Sequence, residues 1–168
     1  MELEITNMDR NTEDMVSLTT EEYIEKYGQM VYRLAYVRTK KREDADDVYQ
    51  DVFLAFIRHM KNLKSEDHIR YWLIHTTCNA CKRLSRRRMW FRLEDTDITY
   101  ELVEPDNTLS LVLALPDKMR EAIHLFYYED MTCEEIARAL KISCEAVRVR
   151  LHRGREMLKI KLEKENEQ

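Results

Sequence analysis

Glycine and proline are scarce in this chain of 168 residues, which holds only two of each. Because tight turns depend on both residue types, their scarcity argues against a fold of many short strands. Charged residues make up 36% of the sequence, and good helix formers occur throughout. The composition therefore predicts a nearly all-α protein, large enough for one medium domain or two small ones.

Long apolar runs are also lacking, since no stretch approaches the roughly 20 residues of a membrane span. The N-terminal sequence is acidic and has no signal-peptide core; it reads MELEITNMDRNTEDM. We therefore expect a cytoplasmic protein without membrane insertion, whose four cysteines are reduced thiols.

Motifs for catalysis are missing too, because neither a glycine-rich phosphate loop nor a nucleophile motif occurs. Cys78 and Cys81 have a spacing used by zinc sites, with His75 before them. On one helix, however, His75 and Cys81 would lie about 9 Å apart along the axis and about 120° around it. No second Cys/His pair completes a tetrahedral site, so we expect no metal, no cofactor and no enzyme. Cys133 and Cys144 flank helix starts, where thiol pKa values can fall, which leaves a redox role open.

The net charge of −4 conceals two basic patches. Residues 82–88 read KRLSRRR, with five bases and no acid, and residues 138–164 hold nine bases against three acids. Other segments are acidic: residues 1–25 hold eight acids and one arginine, and residues 92–110 hold six acids and one base. This sign asymmetry is typical of proteins that bind nucleic acid.

Residues 131–159 predict two short helices joined by a tight turn. Thr132 and Glu135 have the spacing of a capping box, and Ser143 is a suitable cap for the second helix. Lys141 stands at the turn, where helix-turn-helix units often have glycine, so a positive φ there would cost about 1 kcal/mol.

The second of these helices is predicted to lie in a DNA major groove and to contact it with its outer surface. Its apolar stripe points inward, and a polar set projects outward or flanks the stripe: Glu145, Arg148, Val149, His152, Arg153 and Arg155. The alternative interpretation is an ordinary amphipathic hairpin whose arginines are simply solvated.

Residues 19–90 predict a first domain of three amphipathic helices, which begin near Thr19, Arg42 and Ser65. Before it lies an acidic leader, residues 1–18, for which disorder is the default. An acidic linker, residues 91–108, leads to a second domain, residues 109–168, that contains the helix-turn-helix.

One polar face of the second helix contains an exposed leucine. Leu54 is surrounded there by Asp47, Gln50, Asp51 and Arg58. Such a leucine is often only an isolated surface residue. Ringed by polar groups on a flat helical face, it is equally suited to anchor a protein contact.

The third helix predicts a second nucleic-acid surface. Its outward residues are His75, Asn79, Lys82, Arg83 and Arg86. Asparagine can hydrogen-bond a base edge, whereas lysine and arginine neutralise phosphates. The polar loop before this helix, residues 62–67, includes Lys64 and Ser65 and could hold an unstacked base.

Taken in order, these segments resemble the extracytoplasmic-function sigma factors. The resemblance is carried by DADDVYQDVFLAFIRHM, by HIRYWLIHTTCNACKRLSRRR, and by LPDKMREAIHLFYYEDMTCEEIARALKISCEAVRVRLHRGREML, and covers about residues 20–162. It implies a two-domain initiation factor that binds core RNA polymerase and directs it to promoter DNA. It also implies promoter melting without nucleotide hydrolysis.

The resemblance assigns roles to individual residues. It implies that Asp47, Gln50, Asp51 and Leu54, with Arg58 on the same face, dock on the clamp of the polymerase's largest subunit. It implies that the third helix faces the minus-ten element through Asn79, Lys82, Arg83 and Arg86, that residues 62–67 capture a base, and that the linker lies in the transcript path. In the second domain it implies a phosphate contact by Arg120 and a minus-thirty-five surface of Arg148, Val149, His152, Arg153 and Arg155, to which we add Thr132 and Glu145.

The chain departs from the family pattern at Lys141 and at Val149, where a small hydroxylated residue is common. Val149 would favour a thymine methyl group over a hydrogen-bonding base edge. Members of this family are commonly held by an anti-sigma factor, although no residue here identifies one. Two other hypotheses remain: a helix-turn-helix regulator that acts without polymerase, and a thiol or zinc sensor that uses Cys78 and Cys81.

Overall fold

The computed structural model describes residues 18–91 and 107–166. These residues form seven α-helices and one 3-10 turn, and none of them lies in a strand. The helices are α1 (Thr20–Thr39), α2 (Arg42–His59), α3 (Glu66–Phe91), α4 (Asn107–Leu113), α5 (Asp117–Tyr127), α6 (Cys133–Leu140) and α7 (Cys144–Asn166), and the 3-10 turn is Met60–Asn62. The predicted all-α fold class is confirmed.

The helices begin where the sequence provides caps. Both predicted capping boxes are present, one between Thr19 and Glu22 and one between Thr132 and Glu135. The hydroxyls of Ser65 and Ser143 each accept a hydrogen bond of 3.1 Å from the backbone amide three residues on. Each cap satisfies a backbone donor that the helix itself leaves unpaired.

Lysines end two helices in the left-handed conformation. Lys40 closes α1 with φ 61°, and Lys141 closes α6 with φ 55°. Lys141 therefore adopts a positive φ at the turn position where helix-turn-helix units often have glycine. The residue after it, Ile142, donates its backbone amide to the carbonyl of Ala137 at 3.1 Å, which satisfies one of the last free carbonyls of α6.

The first three helices surround a core of aliphatic and aromatic side chains. Leu34 of α1, Val52 and Phe56 of α2, and Leu73 of α3 are completely buried. The ring of Tyr23 packs edge-on against Phe56 with 5.5 Å between centroids. This packing fixes the outer face of α2 and the direction of α3.

A second group of helices, α5, α6 and α7, packs around Ile123, Leu125, Ile136 and Leu151. Helix α5 is covered on a second side as well, where polar residues of the helix are buried, whereas Tyr127 is 53% exposed.

The cover comes from the first three helices. Helix α1 packs on α5, and α3 packs on α6, so that one continuous cluster of buried residues runs through both domains. Thr77 and Cys78, on the side of α3 that meets the second domain, are accordingly 0% and 2% exposed.

Some element limits differ from those predicted. Helix α3 continues to Phe91, the first residue of the predicted linker. Helix α4 begins at Asn107, two residues before the predicted start of the second domain. The acidic leader and most of the acidic linker lie outside the described residues. Within residues 18–91 and 107–166, no helix has the length and apolarity needed to cross a bilayer.

The two glycines provide a matched test of this packing. A Cβ at Gly154 in α7 would lie 2.9 Å from Cγ1 of Ile123, a buried branched side chain. We expect Gly154→Ala to lower the free energy of unfolding by about 1–3 kcal/mol, although alanine favours a helix by about 1 kcal/mol. At Gly28 the closest atom is the hydroxyl of Tyr49, the far end of a flexible side chain, so Gly28→Ala should cost less. Urea denaturation of both variants measures the difference, and equal losses would contradict it.

Candidate nucleic-acid and protein interfaces

The outer face of α2 is exposed as the sequence predicted. Asp47, Gln50, Asp51, Leu54 and Arg58 are all exposed, and Leu54 is 54% exposed. Sequence reasoning missed Ile57, one turn further along, which is 47% exposed. Its spacing of three residues from Leu54 was the available signal. Two neighbouring apolar side chains make a broader anchor than one.

A groove separates α2 from α3 and has opposite charges on its two walls. It encloses about 260 Å³ and is lined by Asp47 and Asp51 on α2 and by Arg83 and Arg87 on α3. The predicted protein-contact face and the predicted nucleic-acid face therefore meet along one edge.

Arg88, the last arginine of the basic run, has a structural role. It pairs with the carboxylate of Asp44, which is buried near the start of α2. Burial raises the pKa of Asp44, and the Arg88 guanidinium opposes that shift. Arg88 therefore neutralises a buried charge and joins α3 to α2.

The predicted basic face of α3 divides into two parts. Lys82, Arg83 and Arg86 are exposed, whereas His75 and Asn79 are half-buried and lie 3.0 Å apart, Nε2 to Nδ2. His75 faces α6, and its pKa is lowered by burial and by the nearby charge of Lys141. In this arrangement Lys82, Arg83 and Arg86 form the open part of the face, whereas His75 and Asn79 are partly covered.

The loop before α3 has one buried residue, followed by two exposed ones. Leu63 is buried, while Lys64 and Ser65 are exposed. The Ser65 hydroxyl caps α3 through the amide of His68, so it already accepts one hydrogen bond. Glu66 is held by Lys26 and Tyr27, and the bond from Lys26 lowers the pKa of its carboxyl.

The helix-turn-helix presents its predicted surface. Every residue of the outward set on α7 is exposed: Glu145, Arg148, Val149, His152, Arg153 and Arg155. Val149 is 40% exposed, and Arg148 lies near two acids, Glu134 at 3.6 Å and Glu145 at 3.8 Å.

Two residues of the predicted minus-thirty-five surface already make side-chain hydrogen bonds within the protein. Arg155 donates from Nε to the hydroxyl of Tyr127 at 2.9 Å and lies over the ring of Phe126. Thr132 is exposed, but its hydroxyl caps α6 through Glu135. These hydrogen bonds orient the side chains of Arg155 and Thr132 at the protein surface.

Arg120 is not exposed at the surface, although the family resemblance implies that it contacts a phosphate. Its side chain is 1% exposed, pairs with Asp117, and donates from Nη1 to the carbonyls of Leu113 at 3.0 Å and Leu115 at 2.7 Å. These carbonyls end the α4 segment and would otherwise be buried without a donor. A phosphate therefore cannot reach Arg120 in this arrangement, and the expectation of a phosphate contact is corrected to a structural role.

Cys78, Cys81 and Cys144 lie in environments that disfavour the thiolate. Burial raises the pKa of Cys78 well above its usual value and that of Cys81 to about 11. The pKa of Cys144 is raised rather than lowered, by its surroundings and by the thiol's bond to Glu134. Among residues 18–91 and 107–166, no group of three His, Cys, Asp or Glu side chains is placed to hold a metal ion.

One polar cluster was missed by the sequence interpretation. Glu121 of α5 is 4% exposed and lies 2.6 Å from Arg38 of α1 and 3.7 Å from Arg150 of α7. The signal in the sequence was weak, because an acid and two arginines on three separate helices have no fixed spacing.

The structural role of Arg120 is tested by stability. Replacing Arg120 with alanine leaves buried carbonyls without a donor, and we expect a loss of about 3 kcal/mol or more in the free energy of unfolding. Arg153→Ala removes an exposed arginine and should change stability by no more than about 0.5 kcal/mol. Urea denaturation compares the two, and an Arg120→Ala protein as stable as Arg153→Ala would refute the role.

The comparisons with known proteins agree with this architecture. The Sigma-70 region 2 family model matches residues 23–91, and the Sigma-70, region 4 family model matches residues 106–158. The chain is 30% identical to the ECF RNA polymerase sigma factor SigE of Mycolicibacterium smegmatis over 154 residues, which is 83% of this chain and 60% of that relative. It is 29% identical to the ECF RNA polymerase sigma factor SigW of Bacillus subtilis over 167 residues, which is 83% of this chain and 86% of that relative.

Solved structures show the same fold. The sigma factor RpoE in complex with the anti-sigma factor NepR, from Bartonella quintana, superposes with a TM-score of 0.72 at 18% identity, over 85% of this chain and 96% of that one. CnrH in complex with the cytosolic domain of CnrY superposes with a TM-score of 0.67 at 26% identity, over 86% of this chain and 87% of that one. With regions 2 and 4 both matched in order, the chain belongs to the sigma-70 family, in its extracytoplasmic-function group.

Proposed function

We propose that this chain is a sigma factor that binds core RNA polymerase and directs promoter recognition, promoter melting and transcription initiation in the cytoplasm. The observation that carries the proposal is a pair of exposed basic helical faces, on α3 and on α7, in two domains of one chain. One face alone would suit any DNA-binding protein. The protein acts by binding and is not an enzyme.

The polymerase contact belongs to α2. Leu54 and Ile57 form an apolar anchor within a rim that includes Asp47, Gln50, Asp51 and Arg58. An apolar centre that becomes dry on binding, surrounded by polar groups, is typical of protein contacts with a few dominant residues. We assign this face to the clamp of the polymerase's largest subunit.

We assign recognition of the downstream, minus-ten element to α3 and to the loop before it. Lys82, Arg83 and Arg86 offer exposed positive charge for the phosphates, and Lys64 extends it to the loop. Asn79 supplies the group that can read a base edge, with His75 beside it. The family resemblance implies melting without nucleotide hydrolysis, so we assign part of the free energy for melting to the capture of unstacked bases.

We assign recognition of the upstream, minus-thirty-five element to α7, whose exposed residues contact the major groove. Arg148, Arg153 and Arg155 supply phosphate contacts and register. Val149, with Glu145 and His152, offers contacts to base edges and sets the sequence preference.

The alternative function is a helix-turn-helix regulator that binds duplex DNA without polymerase. It would use α7 but would leave the apolar anchor on α2 without a partner. The sigma factor RpoE, which has the same fold, was solved in complex with the anti-sigma factor NepR, and we propose an anti-sigma factor as a further partner of this chain.

Reconstituted transcription separates the two functions. A library of genomic fragments is transcribed by core polymerase with and without the protein, and the transcripts are sequenced. The sigma factor hypothesis requires start sites that depend on the protein. Tight duplex binding by the protein alone, with no dependent transcript on any fragment, would favour the regulator.

Leu54→Asp tests the polymerase face. A charge in the dry centre of the contact should weaken the affinity for core polymerase by about tenfold or more. The control is Gln29→Asp, an exposed position on α1 outside the proposed face. Fluorescence anisotropy measures both affinities, and circular dichroism verifies that both variants are folded. Equal affinities for the two variants would remove Leu54 from the contact.

Val149→Ser and Arg153→Ala test the upstream face as a pair. Removing an arginine that contacts phosphate should weaken binding to all sequences and reduce the salt slope by about one. Replacing Val149 should instead change the preferred base at one position, because the thymine methyl loses its apolar contact. Selection of randomised promoters with the holoenzyme distinguishes these outcomes. A Val149→Ser preference identical to the wild type would contradict the base contact.

A further inference from the structure

Two apolar side chains lie in solvent near the end of α3. Met89 is 75% exposed, and Trp90 is 87% exposed. The other tryptophan of the chain, Trp72, packs against the ring of Phe56 with 6.1 Å between centroids. Aromatic side chains dominate the energetics of cores and interfaces, because each can bury about 150–250 Å². Trp90 contributes little to the core and leaves most of its indole surface to solvent.

The position of Trp90 on α3 aligns it with exposed arginines. Trp90 follows Arg83 by seven residues, so at about 100° per residue the two lie within about 20° of each other around the helix. They are about 10 Å apart along its axis. Arg86 and Arg87 precede Trp90 by four and three residues, which makes them its neighbours on the same side of α3. All three arginines are exposed, and the indole extends their basic face by one turn.

The end of α3 that carries Trp90 is held in place by the rest of the first domain. Arg88 pairs with the buried carboxylate of Asp44 on α2, and the half-buried Leu84 packs against the core. A tryptophan side chain has only two rotatable bonds, so on a fixed helix end it loses little conformational entropy when it binds a ligand.

The combination of an exposed indole and neighbouring guanidinium groups is typical of sites for single-stranded nucleic acid. There the basic groups attract the phosphates, and the aromatic ring stacks on an unpaired base of any sequence. The charge next to Trp90 favours such a polyanion, because residues 82–88 hold five bases and no acid. The apolar centre of a protein contact would instead have a rim of both signs, as Leu54 has on α2.

This surface is separate from the loop before α3. From Ser65 to Trp90 the helix rises by about 37 Å, at about 1.5 Å per residue. A base that stacks on Trp90 is therefore a different base from one held by residues 62–67. The exposed Lys82, Arg83 and Arg86 lie between the two places.

We propose that Trp90 is a stacking platform for an unpaired base of single-stranded DNA. Arg83, Arg86 and Arg87 hold the adjoining phosphates. The binding itself stands on the exposure and alignment of these side chains, whereas its use rests on the proposed sigma function. In promoter melting the platform holds one base of the opened strand at the end of α3 that is remote from the loop.

Tryptophan fluorescence reports the stacking directly, because a stacked base quenches an indole and the chain has only two indoles. The full chain is titrated at low salt with a single strand of about 12 nucleotides, with an abasic strand of the same length, and with the matching duplex. The abasic strand keeps the phosphates and has no base to stack. We expect strong quenching by the first strand and little by the other two. Trp90→Leu, which leaves Trp72 alone, should abolish the quenching.

Affinities measured by anisotropy of a labelled strand test the same site without the indole signal. Trp90→Leu should weaken binding of the strand by about tenfold or more, because leucine has no ring to stack. Trp90→Phe keeps an aromatic face and should retain most of the affinity. The matched control is Met89→Leu, an exposed apolar position about 100° around the helix, which should bind like the wild type.

The salt dependence separates stacking from charge. Trp90→Leu should leave the slope of log affinity against log salt unchanged, whereas Arg83→Ala should reduce it by about 0.7. Equal quenching by the abasic strand, or an unchanged affinity in Trp90→Leu, would overturn the stacking. Equal quenching by the duplex would overturn the requirement for an unpaired base.

The use of the platform is measured in the holoenzyme by permanganate footprinting of unpaired thymines in promoter DNA. Trp90→Leu should reduce the opened fraction, and Met89→Leu should not. Stacking on single strands with an unchanged opened fraction would overturn the role in melting alone. Absence of promoter-dependent transcription by the wild type would instead refute the sigma function and leave the stacking site in place.

Discussion

Burial of α3 on two sides is the constraint on which the rest of the structure depends. Leu73 packs into the core of the first domain, while Cys78, one turn further along, lies under α5 of the second domain. A helix with two covered sides has little surface left, so the exposed basic residues are concentrated toward its C-terminal end, at Lys82, Arg83 and Arg86. The position of the nucleic-acid face therefore follows from packing as much as from the charge pattern.

Arginines in this chain have two physical roles that the sequence alone does not separate. Arg38, Arg88 and Arg120 neutralise buried acids or satisfy buried carbonyls, whereas those of the outer α7 face remain in water. Guanidinium groups suit both environments because they stay charged and offer several donors. Which role an arginine has depends on whether its partners are buried, and those partners can lie on another helix, as Glu121 does for Arg38 and Asp44 for Arg88.

Local signals predicted the elements well and the contacts between domains poorly. Capping at Thr19 and Thr132 and the left-handed turn at Lys141 depend on neighbours within a few residues, so the sequence contains the whole interaction. The exposed face of α7 follows from helical periodicity alone. Arg120 was misplaced because part of its cover comes from α1, where the carbonyl of Arg38 lies 82 residues earlier in the chain. Periodicity identifies one apolar stripe and does not reveal a second, polar one.

That polar stripe of α5 lies where the two domains meet, within one continuous cluster of buried residues. Apolar surface stabilises such a contact by about 25 cal/mol per Å² that it buries, but it specifies poorly which faces meet. The Glu121–Arg38 pair adds little net free energy, because burial removes the hydration of both charges. Its contribution is directional, because a carboxylate of α5 that is turned away from the guanidinium of α1 would leave a buried charge unpaired. The ion pair therefore determines which faces of the two domains meet more than it determines how strongly they hold together.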